Sequence, residues 1–154
     1  IMSSDWSSDV CSSDLGPLQK APGKRHSMSR APELELITAL EADTTLMASI
    51  KAVYLEQPER APKFPFLVVQ LVGDTNEKHF LSAWGGEAAV QIDIYARTKD
   101  AGLRATVKDA LRRIRGNIGG IVVTVIRVTN ELANGITPDG MHRYTIDATI
   151  DYTE

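Results

Sequence analysis

From Pro32 onward the apolar positions recur with helical spacing. Pro32 suits a first helical position, Glu33 and Glu35 favour the positive end of the helix dipole, and Leu34, Ile37 and Leu40 form one stripe. The stretch EADTTLMASI breaks that helix and opens another. Asp43 or Thr44 can accept the free amides of a short second helix carrying Leu46, Met47 and Ile50. QPERAPKFPF, with prolines at 58, 62 and 65, predicts an extended connector. FLVVQLVG reads as a strand apolar on both faces and therefore central in its sheet. NEKHFLSAW is a weaker strand, turned at Gly85 and Gly86. EAAVQIDIYAR alternates cleanly, with Ala88, Val90, Ile92 and Ile94 on one face and Gln91 and Asp93 on the other.

The strongest helical pattern is TKDAGLRATVKDALRRIRGN. Thr98 is placed to cap it, Asp100 falls in its first turn, and Leu103, Val107, Ala110, Leu111 and Ile114 make the buried face. Its stop is set at Gly116 or Asn117, and Arg112, Arg113 and Arg115 complement the negative end of the dipole. Two long strands close the chain, GIVVTVIRVTNEL and MHRYTIDATIDYTE. In the second, His142, Tyr144, Ile146, Ala148, Ile150 and Tyr152 alternate with Arg143, Thr145, Asp147, Thr149 and Asp151. Their connector ANGITPDG carries Asn-Gly and Pro-Asp-Gly turn chemistry, which predicts a hairpin. The element order predicts an α+β domain: an antiparallel sheet of about four to five strands with two main helices packed on one face.

Residues 1–30 show neither periodicity and are dominated by Ser, Asp, Pro, Gly and Lys, a composition too poor in apolar surface to offset the entropy of ordering it. SSDVCSSDL also resembles the translation of a sequencing adapter. The expectation is therefore that residues 1–27 are a disordered or artefactual extension, that the natural start is Met28, and that 28–154 form one domain. The only cysteine, Cys11, lies in that extension. The 27 residues balance three basic against three acidic side chains, so the net charge of −3 does not depend on them.

At 154 residues, 43% hydrophobic and 24% charged, the composition is that of an ordinary globular domain. The slightly negative balance argues against a protein that coats nucleic acid, although a local basic patch is compatible with it. No apolar run reaches the ~18–20 residues that span a bilayer. Neither His79 nor His142 sits in a zinc-binding spacing, and outside the extension there is no cysteine to complete a set. Gly85-Gly86 and Gly119-Gly120 lack the Lys-Ser/Thr and the following helix of a phosphate loop, and read as turns. Asp93, Asp147 and Asp151 lie on polar strand faces, where a carboxylate pair could do acid–base chemistry together with His142. Arg127 and Arg143 on similar faces make cross-strand ion pairing the simpler account. No cofactor or catalytic residue is expected.

Two surfaces stand out instead. Arg104, Lys108, Arg112 and Arg115 follow 4, 4, 3 spacing on one helix face, a stripe able to neutralise phosphates, or simply a solvated surface. Phe80, Leu81 and Trp84 fall in a segment of poor periodicity, folded back on the core or exposed as a contact for another chain.

The order of segments resembles a family of long-tailed phage tail-completion proteins, also called tail terminators or tail-to-head joining proteins. The resemblance runs from about Leu36 to Tyr152 through LITALEADTTLMASI, FPFLVVQLVGD, AAVQIDIYARTKDAGLRATVKDALRRIRG and NELANGITPDGMHRYTIDATIDY. It implies a non-enzymatic virion structural protein, a homo-oligomer in a ring, commonly a hexamer, that caps the tail tube and meets the head connector. It further implies a place in the virion tail and in the host cytoplasm during assembly. On that view Phe80, Leu81 and Trp84 become a subunit or tube contact, and the basic stripe a lumen or inter-subunit surface in transient contact with DNA. The alternative is a small nucleic-acid-binding module using the basic helix face.

Overall fold

The structure, a computed structural model, describes residues 31–78 and 84–153. The expectations for residues 1–27 and for Phe80 and Leu81 fall outside them. Pro32–Ala42 form α1, with the proline in its first turn as its fixed φ favours. The buried stripe is Pro32, Leu36 and Leu40, which corrects the expected Leu34–Ile37–Leu40 face. Steps of three residues fall about 60° short of a full turn, so Leu34 lies roughly 120° from Leu40 while Leu36 lies about 40° from it; Leu34 is 49% exposed. Asp43 then caps α2, Thr44–Ser49, accepting the amides of Thr45 and Leu46 at 3.0 Å each. Leu46 and Ile50 are buried behind that cap.

Ala52–Tyr54 form a three-residue strand, β1, parallel to the start of β2, Phe66–Lys78. A parallel pair needs a long crossover, and the proline-rich segment 55–65 supplies it. β2 is buried on both faces at its start, as its apolar run predicts. Leu67 and Val69 join the main core, and Phe66 and Val68 form a smaller cluster with Tyr95 on the other side. It is not central, however, but next to the flanking β1.

β2 pairs antiparallel with β3, Trp84–Ala96. Gly85 and Gly86 are not a turn: they lie inside β3, opposite Thr153 and Tyr152 of the last strand. The expected alternation holds, with Ala88, Val90, Ile92 and Ile94 buried in the core.

The main helix, α3, spans Ala101–Arg113 and buries Leu103, Val107, Ala110 and Leu111. Its cap is Asp100, which accepts the amides of Gly102 and Leu103 at 2.9 and 3.1 Å, so Thr98 lies outside. A carboxylate immediately before the first helical residue reaches the second and third free amides at once, which the more distant Thr98 cannot do. The helix also ends earlier than expected. Gly116, at φ +88°, already begins β4, Gly116–Ile118.

Gly119 and Gly120, both at positive φ, then reverse the chain into β5, Ile121–Ile136. A Cβ at Gly119 would collide with the Glu35 carboxylate of α1. The final strand, β6, is His142–Thr153. Of the two turn signals before it, Pro-Asp-Gly makes the reversal, with the Gly140 amide donating to the Thr137 carbonyl at 2.8 Å. Asn134-Gly135 lies within β5, where the register shifts between Ala133 and Ile136.

The strands form one sheet in the order β1-β2-β3-β6-β5-β4. This overturns the expected antiparallel sheet of four to five strands with two main helices: among the described residues the sheet is mixed and six-stranded, and the helices are three and short. The two strands missed, β1 and β4, are three residues each, too short to display alternation. All three helices pack their apolar sides into one core with Leu67, Ile92, Ile146 and Ile150.

One side chain joins the helices. Asp43, besides capping α2, accepts Arg113 Nη2 at 2.6 Å and Nε at 3.2 Å from the last turn of α3. That hydrogen bond holds the Asp43 carboxyl below its ordinary value of 3.8, against the opposing effect of burial. Asp43→Ala is expected to destabilise the fold by about 1–2 kcal/mol, seen as a lower urea midpoint at unchanged slope. A carboxyl whose folded pKa is depressed contributes fully above its unfolded pKa. The contribution is lost as pH falls through the lower folded value, so the stability gap between the two proteins should close as the solution is acidified below the ordinary carboxyl range.

Candidate functional site

Residues that alternate away from the core line the sheet face opposite the helices. Asp93 of β3 sits there, 1% exposed, opposite Val68 of β2 and Thr145 of β6. A buried carboxylate must be paired and hydrogen-bonded, and this one is. Arg143 Nη2 lies 2.7 Å from Oδ2, the Thr145 hydroxyl donates to Oδ1 at 2.6 Å, and Gln91 Nε2 lies 3.3 Å from both oxygens. Asn134 of β5 donates to the Thr145 hydroxyl in turn. The Arg143 guanidinium lies over the Tyr95 ring, 5.8 Å from its centroid, and Tyr95 stacks on Phe66 at 4.9 Å. The bond to Asp93 raises the Arg143 pKa above its ordinary value, burial opposing.

Cross-strand ion pairs thus engage Asp93 and Asp151, two of the three acidic residues singled out in the sequence, and the third is hydrogen-bonded to a neutral amide. Asp147 accepts from Asn130 at 3.2 Å. Asp151 pairs with Arg127 at 3.0 Å, and the same guanidinium reaches Glu87 at 3.4 Å. This last group borders a cleft of about 330 Å3 lined by Thr75, Glu87, Thr124 and Asp151. His142 is half-buried opposite Ala96, on the other phase of β6 from Asp147 and Asp151. Among the described residues no cluster of His, Cys, Asp and Glu could hold a metal ion, and no helix is long and apolar enough to cross a membrane.

The basic stripe divides. Arg104 and Lys108 both turn to Glu131 of β5, at 3.7 and 2.8 Å. The Lys108 hydrogen bond lowers the Glu131 pKa, burial opposing, and the charges of Lys108, Arg104 and Arg112 add to the effect. Arg104 also lies 5.6 Å from the Tyr144 ring centroid. Arg112 points to solvent beside Asp109, at 3.4 Å, and Arg115 lies exposed beyond the helix end. Glu131 was not singled out in the sequence. It sits on the core phase of β5, opposite Ile146, and one acid on an apolar phase is the signal that a cation must come from elsewhere.

Of the apolar trio, Trp84 opens β3 opposite Lys78, and Phe80 and Leu81 lie outside the described residues. Among the described residues, the exposed apolar side chains include Leu71 and Val72 on β2 and Leu132 and Ile136 on β5.

Removing Arg143 while Asp93 stays buried should be costly. Arg143→Leu is expected to destabilise the protein by about 3 kcal/mol. Asp93→Leu combined with Arg143→Leu should recover much of that loss in a double-mutant cycle followed by urea denaturation. Equal losses for single and double variants would contradict the pairing.

Residues 35–150 match the family described as Tail completion protein gp17. Among solved structures, a chain from the virion of a native gene transfer agent (GTA) particle has the same fold. Its TM-score is 0.58 at 16% sequence identity, covering 82% of this chain and 99% of that one. No curated protein matches the chain at a significant level.

Proposed function

The chain belongs to the tail completion protein gp17 family and is a structural protein of the phage tail; we propose that it completes the tail as one subunit of a ring, hexameric as is common for such proteins, seated between the tail tube and the head connector. The carrying observation is the family match, which runs from within α1 through most of β6 and so takes in nearly every element described. The likeness in fold to a chain of a phage-like virion agrees with it. The sheet fits a scaffolding role, because the acids that could have done chemistry are engaged in holding strands together.

In such a ring DNA passes through the lumen. Arg112 and Arg115 are the stripe residues left to face it or a neighbouring subunit, since Arg104 and Lys108 hold Glu131. Phe80, Leu81 and Trp84 are assigned to contact with the tube or the next subunit. The protein assembles in the host cytoplasm and ends in the virion tail. A free-standing nucleic-acid-binding module draws less support, because half of its basic stripe is turned to Glu131 within the chain.

Native mass spectrometry of the full chain, mixed with purified tail-tube and connector proteins, is expected to show a closed ring. A chain that stays strictly monomeric with both partners present would overturn the assembly role.

A further inference from the structure

Two strands of the sheet run far beyond their outer neighbours. β1 pairs with β2 only over Phe66–Val68, so residues 69–78 of β2 have β3 as their one strand partner among the described residues. On the other side β4 pairs with β5 only over Ile121–Val123, which leaves residues 124–136 with β6 as their one strand partner among the described residues. An unpaired edge presents a row of amides and carbonyls to any strand that fits it, and proteins ordinarily blunt it with charged side chains, lysine above all, with proline or with bulges. Neither stretch contains proline, and no lysine interrupts 124–136. The single cation on the β5 edge, Arg127, is turned to Glu87 and Asp151 of its own sheet.

Both edges also carry exposed apolar side chains among their polar ones. Leu71 and Val72 are 40% and 67% exposed on β2, and Leu132 and Ile136 are 48% and 64% exposed on β5. Their directions match as well. β2, β3, β6 and β5 succeed one another antiparallel, so β2 and β5 run in opposite senses at the two sides of the sheet. A second copy placed by rotation about an axis parallel to the strands keeps its direction, and its β2 then meets the first copy's β5 antiparallel. The copy after that can repeat the step, because each subunit carries one edge of each kind.

We infer that the subunits of the ring join by pairing the β2 edge, residues 69–78, of one copy with the β5 edge, residues 124–136, of the next. This rests on the ring reading above. The contact is heterologous, and such contacts give a closed ring or an open filament according to the rotation per step. The register shifts at Leu71/Gly73, Val128/Asn130 and Ala133/Ile136 bend both edges, since a bulge kinks and twists its strand.

The test uses the full chain with purified tail tubes, and two edge variants: Val72→Lys for the β2 edge and Leu132→Lys for the β5 edge. Circular dichroism melts first check that each is folded, as exposed positions allow. Each variant alone is expected to lose at least tenfold of the ring by native mass spectrometry. Mixed, each still offers one intact edge of opposite kind, so a one-to-one heterodimer is expected and nothing larger. Self-association of either variant alone would indicate like edges pairing, and rings unaffected by both substitutions would place the interface elsewhere; either result overturns the edge pairing and leaves the ring standing. A wild-type chain that forms no ring with the tubes removes both readings.

Should a lysine variant unfold, amide hydrogen exchange on the unaltered chain decides the matter. Assembly is expected to slow exchange at least tenfold in both 69–78 and 124–136. Unchanged exchange in either segment overturns the inference.

Discussion

The pairing of β3 with β6 runs without a shift from Gly85 opposite Thr153 to Ala96 opposite His142, and both faces of the sheet depend on it. Side chains alternate with period two, so a slip of one residue would exchange the faces. On one face the in-register pair is Ile92 and Ile146, both fully buried under the helices. On the other it is Asp93 and Thr145, with Arg143 alongside. A slipped register would strip the carboxylate of its hydroxyl donor and drive charge into the apolar core, a penalty of several kcal/mol. Hydrophobic burial and the polar network thus enforce the same alignment from opposite sides.

Everything outward of this pair is more adjustable. β2 and β5 join it with bulges, and the flanking β1 and β4 cover only three residues each. The helices are tied together by Asp43, which caps one and holds the end of another, and α3 is tied to β5 through Glu131. A rigid centre with long, bent and uncovered flanks suits a subunit whose neighbours complete it. Under the ring reading proposed above, further copies of the chain are such neighbours.

Much of this was readable in the residues. β3 and β6 alternate because one face is core and the other is not, and that signal carried Asp93 and Arg143 onto a shared polar face before any coordinates. The segment order likewise pointed to the tail-completion family from about Leu36 to Tyr152, close to the matched 35–150. What failed was decided by tertiary contacts. Gly85-Gly86 and Asn134-Gly135 carry turn chemistry, yet long strand pairing absorbs both. The face of α1 depends on which leucine meets the sheet, and β1 exists only because the segment 55–65 returns the chain beside it. The division of the basic stripe was hidden for a similar reason: helical spacing shows which cations share a face but not that Glu131 waits on the strand below. Nor can alternation distinguish an edge strand from a covered one, since the pattern of β5 is the same whichever neighbour it has.

The most direct measurement is cryo-electron microscopy of intact tails from the phage that encodes this chain. The account predicts a ring of this protein at the head-proximal end of the tube, with the sheet continuing from β5 of each subunit into β2 of the next. Tails that lack the chain at that end, or hold it there as an isolated copy, would contradict it.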